Sequence, residues 1–224
     1  MSPMSRQQLE VLRRERRHKI LRTALRLFAR RGYQSTSISE LAAAAGISKG
    51  LMYNYFKSKE ELLEHTTQMV LNDLSALFEV DDVEDDPALR LERFIRSGYA
   101  LLQRHHREYK MFLLLSLQLP RRSRAARMID QFWMRLFDHA NGLFLQMGYP
   151  DGQRMAYAYG AMMDGLAFQY VLFGGNRFPF GETIEAIIRA LDVDVPAMTQ
   201  CLGGVSVNIQ SFVLDRFLYA YEHL

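Results

Sequence analysis

Residues 37–56 read SISELAAAAGISKGLMYNYF, and that stretch decides the fold. Ser37-Ile-Ser-Glu40 has the form of a capping box, in which the serine hydroxyl accepts from the Glu40 backbone N–H and Glu40 reaches back. A short helix through Ala45 follows, packing through Ile38, Leu41, Ala42 and Ala45. Gly46 ends it, and Ser48 caps a second short segment, Lys49–Phe56. The small residues Ala42, Ala43, Ala44 and Ala45 let two helices approach closely across a tight turn at Gly46-Ile47. This is the pattern of a helix-turn-helix, whose second helix enters a major groove about 12 Å wide.

Outward from that stretch, nearly every segment reads as helix, so the fold class is all-α. No Gly or Pro interrupts Arg6–Arg31, where Ile20, Leu21, Ala24, Leu25, Leu27 and Phe28 recur at helical spacing. The rest of that surface is basic, and Gly32 closes it. Ser58-Lys-Glu-Glu61 opens a long helix to about Phe78. The acidic run Val80–Asp86, ended by Pro87, marks a boundary. Beyond it, Leu91, Phe94, Ile95, Gly98 and Leu102 outline one helix, Met111–Leu119 a shorter one before Pro120, and Met128–Met147 a long amphipathic one. Arg154–Phe173 is apolar on most faces, which implies burial in a bundle or at a subunit interface. Gly174-Gly175 breaks it, Thr183–Leu191 forms another helix, and Ile209–Tyr221 reads as a last one.

Charge divides the chain in two. Residues 1–60 hold 13 Lys+Arg against 4 Asp+Glu, whereas the whole chain carries only +3. A basic head on an acidic body suits an anionic partner, either nucleic acid or a membrane surface. The single cysteine, Cys201, excludes an intrachain disulfide framework and a multi-cysteine zinc site. His105-His106 lacks companion ligands, so no metal or cofactor is expected. The N-terminus lacks a secretory pattern, and Met111–Leu119 is about half of the ~20 residues that span a bilayer. A cytoplasmic protein is the expectation.

Side-chain chemistry assigns roles in the head. Met52 and Phe56, four apart, face inward, which turns Lys49, Gly50, Leu51, Tyr53 and Asn54 outward with Tyr55 at the flank. Lys49 and Lys59 can neutralise phosphates, and Tyr53 and Tyr55 can donate hydroxyls to them. Thr36, Ser37 and Ser48 stand at helix starts, where backbone N–H groups favour anions. Gly50 allows close backbone approach. Asn54 is the best base reader present, since its amide pairs bidentately with adenine, and Leu51 can touch a thymine methyl. Each has a plainer alternative: a solvated charged face for the basic helix, simple exposure for Asn54, packing for the tyrosines.

The run Phe28–Leu63 strongly resembles the TetR/AcrR family of transcriptional regulators. The matching positions are Phe28, Gly32-Tyr33, Thr36-Ser37-Ile38, Leu41-Ala42, Ala45-Gly46-Ile47-Ser48, Gly50, Met52-Tyr53, Phe56 and Ser58-Lys59-Glu60-Glu61-Leu62. Asp164-Gly165-Leu166 is also similar to a pattern in the family's penultimate helix. The resemblance implies a three-helix DNA-binding domain at 1–57 and a helical ligand-binding and dimerisation domain at 58–224. It implies a homodimer paired through helices 154–173 and 183–191, bound as a repressor to a palindromic double-stranded DNA operator and released by a small effector. Two features depart from the pattern: Leu51 stands where a small or hydroxylated residue is common, and the tail after about residue 195 is long.

The apolar stripes suggest an apolar or aromatic effector. Tyr99, Trp133, Phe137, Tyr159, Met162, Met163 and Phe168 are the candidate lining, although such stripes are more often plain core. No nucleophile–base pair, phosphate-cradling glycine loop or metal spacing suggests catalysis. The competing class is an architectural or membrane-surface basic-helix protein without a specific operator.

Overall fold

The computed structural model describes residues 5–78, 86–173 and 179–193. The acidic run at 80–85, Gly174-Gly175, Cys201 and the helix expected at Ile209–Tyr221 lie outside the described residues. Within them the structure is helical, with no strand. In chain order the helices are α1 (Arg6–Arg31), α2 (Ile38–Ala45), α3 (Lys49–Tyr55), α4 (Lys59–Ser75), α5 (Pro87–Arg104), α6 (His106–Ser116), α7 (Arg124–Gln146), α8 (Gly152–Phe173) and α9 (Phe180–Val193).

The ends sit where local chemistry puts them. Ser5 and Ser37 form capping boxes with Gln8 and Glu40, and Ser48 accepts from the Leu51 backbone N–H. Gly46 takes the left-handed conformation after α2, at φ 74° and ψ 34°, where a side chain would be strained. Asp86 accepts from Ala88 N, and Pro87 occupies the first turn of α5, where its missing N–H costs nothing. Helix α4 stops at Ser75 and tightens into a 3₁₀ turn, Ala76–Phe78. Helix α6 begins five residues before the expected Met111, because its polar first turn carries no apolar signal. It ends at Ser116, short of Leu119, as Pro120 pushes the preceding chain out of helical geometry. Helix α9 is longer than Thr183–Leu191 by a turn at its start.

The chain forms two compact units: Met1–Asp73 with Arg107–Asp130, and Leu74–His106 with Gln131–Leu224. In the first, Ile20, Leu21, Leu25 and Phe28 of α1 are buried, as are Leu41, Met52, Phe56, Leu62 and Leu63. Full burial of each such side chain contributes roughly 1.5–3 kcal/mol. Phe28 meets Tyr33 edge-on at 5.3 Å. Arg124 pairs with Glu64 at 3.3 Å, and Gln118 donates to the Ala29 carbonyl.

In the second unit Leu91, Phe94 and Ile95 of α5 share a core with Ala140, Leu143 and Phe144 of α7, Met155 and Tyr159 of α8, and Ile184, Ile187 and Ile188 of α9. Arg96 on α5 bridges Glu92 and Glu185, and so ties α5 to α9. Gly160 lets the Phe137 ring lie directly on α8, since a Cβ there would collide with Phe137 Cε1.

Candidate nucleic-acid interface

Helices α1, α2 and α3 build the head, and the burial of α3 decides what it presents. Met52 is completely buried and the following Phe56 is 1% exposed, so both anchor α3 inward as their spacing required. The opposite face carries Lys49, Gly50, Tyr53 and Asn54, all exposed, with Leu51 and Tyr55 half-buried at its edges. Tyr53 keeps 47% of its surface in solvent, so its ring and hydroxyl are open to a partner. A Cβ on Gly50 would meet nothing within 4 Å, so the glycine leaves open space rather than relieving a clash.

Cations frame this face. Arg13 lies 6.0 Å from the centre of the Tyr55 ring, and Arg17 lies 5.2 Å from that of Phe56. Such cation–π contacts hold the end of α3 against α1. His65 of α4 stacks 5.7 Å from Phe56. Burial, then the Arg17 charge, holds its imidazole below the usual histidine range.

Four of the candidate side chains bond within the head itself. Thr36 is 1% exposed, and its hydroxyl donates to the Gly32 carbonyl at 2.8 Å. The Lys59 ammonium donates to the carbonyls of Tyr33, Gln34 and Thr36 at 3.0, 3.3 and 3.1 Å, and stands 4.6 Å from the centre of the Tyr33 ring. All three of its N–H groups are thus matched by carbonyls of the turn between α1 and α2. Lys59 and Thr36 lock that turn, which aims the start of α2. Ser37 is exposed, but its hydroxyl already accepts from Glu40 N at 3.2 Å and donates to Glu40 Oε2 at 2.8 Å. Those hydrogen bonds from Ser37, with Arg31 nearby, hold the Glu40 carboxyl below its ordinary range. Ser48 is exposed, its hydroxyl accepting from Leu51 N at 3.1 Å.

The seven candidate effector residues all fall in the second unit. Tyr159 is buried within the core, and the other six are partly buried. Trp133 and Phe137 stack at 6.3 Å, and Phe137 meets Tyr157 edge-on at 5.1 Å. Tyr99 and Tyr170 flank Phe180 at 4.8 and 5.0 Å. Met162 and Met163 pack on the same core. Asp164 follows Tyr159 by five residues on the same helix. Burial pushes its carboxyl up to about 6, and burial together with Asp164 drives the Tyr159 hydroxyl upward as well. The sequence signal was there, an acid inside an apolar helix, but nothing in one sequence separates a buried acid from an exposed one.

Among the described residues no group of three or more His, Cys, Asp or Glu is placed to hold a metal ion. No described helix is long and apolar enough to cross a membrane.

Known proteins resemble this chain most clearly in the head. The family description "Bacterial regulatory proteins, tetR family" matches residues 20–66. The HTH-type transcriptional regulator YerO of Bacillus subtilis is 30% identical over 190 residues, which is 80% of this chain and 64% of that protein. The HTH-type transcriptional repressor KstR2 of Mycobacterium tuberculosis is 30% identical over 98 residues, 43% of this chain and 49% of its own length. The chain therefore spans about half to two thirds of these relatives. In three dimensions, AibR, solved in complex with isovaleryl coenzyme A and operator DNA, superposes with a TM-score of 0.60 at 23% identity, covering 77% of this chain and 96% of that one. That likeness carries the fold. The helix-turn-helix geometry and the matched stretch together place the head, residues 20–66, in the TetR family of bacterial regulatory proteins.

Proposed function

We propose that this regulator is a ligand-responsive repressor that binds a palindromic DNA operator as a homodimer. Residues 1–57 serve as the DNA-binding domain and 58–224 as the ligand-binding and dimerisation domain. The observation that carries the reading is the outward face of α3: Lys49, Gly50, Tyr53 and Asn54 exposed on a helix pinned from behind by Met52 and Phe56. Asn54 reads a base, Leu51 touches a thymine methyl, and Lys49, Tyr53 and Tyr55 engage phosphates and sugars. Ser37 and Ser48 offer helix-start N–H groups to phosphate. Thr36 and Lys59 act from behind, by fixing the turn that presents α2.

One such head buries too little surface for tight, specific binding, so two are needed. Pairing through the helices around 154–173 and 183–191 supplies the second, with half-sites about one DNA turn or a multiple apart. An apolar or aromatic effector enters among Tyr99, Trp133, Phe137, Tyr159, Met162, Met163 and Phe168. It releases DNA only to the extent that it binds the released head spacing more tightly. The protein works in the cytoplasm and needs no cofactor.

The test is selection from a random double-stranded DNA pool by the purified protein at physiological salt. A two-fold symmetric consensus, lost in Asn54→Ala, supports the reading. Enrichment without symmetry counts against the dimer, and binding that is equal for all sequences counts against base reading.

A further inference from the structure

The cations of α1 divide by face. Arg13 and Arg17 cover the rings of Tyr55 and Phe56, and Arg31 pairs with Glu40 at 3.2 Å. A second row, Arg14, His18, Arg22 and Arg26, recurs every fourth residue, with Lys19 beside it. These five line an open groove of about 720 Å³ together with the buried Thr23 and Ala44 of α2. All five are exposed, and among the described residues Arg14, Lys19, Arg22 and Arg26 make no ion pair. Glu15 is the one carboxylate on the lining.

Four cations along one groove repel one another, and among the described residues no ion pair offsets that repulsion. From Arg14 to Arg26 the row extends about 18 Å at 1.5 Å per residue. Double-stranded DNA carries one charge per about 1.7 Å of its axis, a continuous anionic track that can match such a row. The groove is continuous with the head: the same helix seats Arg13 and Arg17 on the C-terminal end of α3.

We infer that this groove is a second DNA contact, which holds the phosphate backbone flanking the half-site presented to α3. The inference rests on the operator-binding reading above and deepens it. The recognition helix supplies sequence preference, and the α1 groove adds sequence-independent affinity and lengthens the footprint. Guanidinium forks suit phosphate oxygens and carry no base information.

The test compares the full-length wild type with Arg14→Gln/Arg22→Gln/Arg26→Gln. Glutamine keeps the exposed helix, and circular dichroism checks it. The probe is a duplex enriched from the random pool, used with ten-base-pair flanks and trimmed to the consensus. Affinity is measured across a salt series.

The expected result is a slope of log affinity on log salt reduced in magnitude by about 2–3 per subunit, from about 0.9 per lost phosphate contact. The consensus stays unchanged. Trimming weakens the wild type at least tenfold and the triple variant little. Equal slopes and equal trimming losses would overturn the groove assignment. So would an unchanged DNA slope with lost binding to phosphatidylglycerol vesicles, which would make the groove a lipid contact instead. Asn54→Ala separates the two readings: if it keeps the sequence preference, the α3 reading fails whatever the groove does. If no duplex is bound by the wild type, both fall.

Discussion

The outward face of α3 and the ring clusters on α7 and α8 are both rich in aromatic side chains, yet they differ in what constrains them. On α3 each residue has a distinct environment within a seven-residue helix: Met52 sealed, Tyr53 and Asn54 bare, Tyr55 held by Arg13. Around Phe137 and Phe180 the rings touch one another, and any of several apolar side chains would fill the same space. A DNA-reading face must match a fixed polymer with a fixed donor and acceptor pattern, so its residues are specified one by one. A body that packs against itself and takes up an apolar molecule needs volume and hydrophobicity first. The first kind of surface announces its partner; the second announces only polarity.

The largest expected effects test whether the two units serve separate ends. Phe56→Ala and Phe144→Ala each empty a fully buried position and should each cost about 3–5 kcal/mol of stability. Phe56 touches Tyr55, His65 and Arg17, so its loss should abolish DNA binding well below the melting temperature. Phe144 touches Tyr149 and Tyr159, and its loss should lower the melting temperature while leaving binding at 10 °C. Calorimetry with a binding assay at that temperature checks both. Equal loss of binding would erase the contrast.

Asn54→Ala comes next. It should cost roughly 1–3 kcal/mol of affinity for the selected operator and leave non-specific affinity unchanged. A uniform loss on all DNA would move Asn54 from reading to positioning.

How much was legible follows from the same contrast. The head could be read because its signals are local: a cap at Ser37, a glycine at Gly46, and an i, i+4 pair at Met52 and Phe56. Each has one structural meaning within a few residues. The tasks of Thr36 and Lys59 were not legible, because Lys59 reaches carbonyls more than twenty residues away and such a contact leaves no periodic trace. The early start of α6 at His106 was hidden for a different reason: His106–Lys110 is a polar turn, and apolar spacing is blind to it. In the body the helices were legible and the use of their aromatic rings was not, since core and pocket lining share one composition. Asp164 and the Arg14–Arg26 row show the converse. Their residues stood in plain view, and only burial and pairing gave them meaning.

The two units should also answer pH in opposite senses. Burial raises the Asp164 carboxyl from an ordinary 3.8 to about 6, so the folded state favours the proton. Its contribution is full below pH 4 and is lost as pH rises through about 6, by about 1–2 kcal/mol once partial exposure is allowed for. His65 is lowered instead, so the first unit loses stability as pH falls below the ordinary histidine value of 6.5. Denaturant unfolding between pH 4.5 and 7.5 reads both. Asp164→Asn should flatten the alkaline loss, and His65→Gln the acid one. If Asp164→Asn leaves the pH profile unchanged, the Asp164 carboxyl is paired or hydrated in solution and the contrast weakens.

The smallest effect separates two tasks that Ser37 could combine. As a cap its hydroxyl meets Glu40, so Ser37→Ala should cost about 1 kcal/mol of stability and Ser37→Gly only a few tenths. Ser37→Thr keeps both the hydroxyl and most of the cap. If DNA affinity tracks stability, falling for alanine and little for glycine or threonine, Ser37 serves DNA only by starting α2 correctly. If alanine and glycine lose affinity alike while threonine retains it, the hydroxyl itself meets phosphate and must exchange its Glu40 partner to do so. The second outcome requires the Glu40 carboxyl, now held low by Ser37, to rise on DNA binding. Affinity should then strengthen as pH falls toward the ordinary carboxylate range, because a proton replaces the departed hydroxyl.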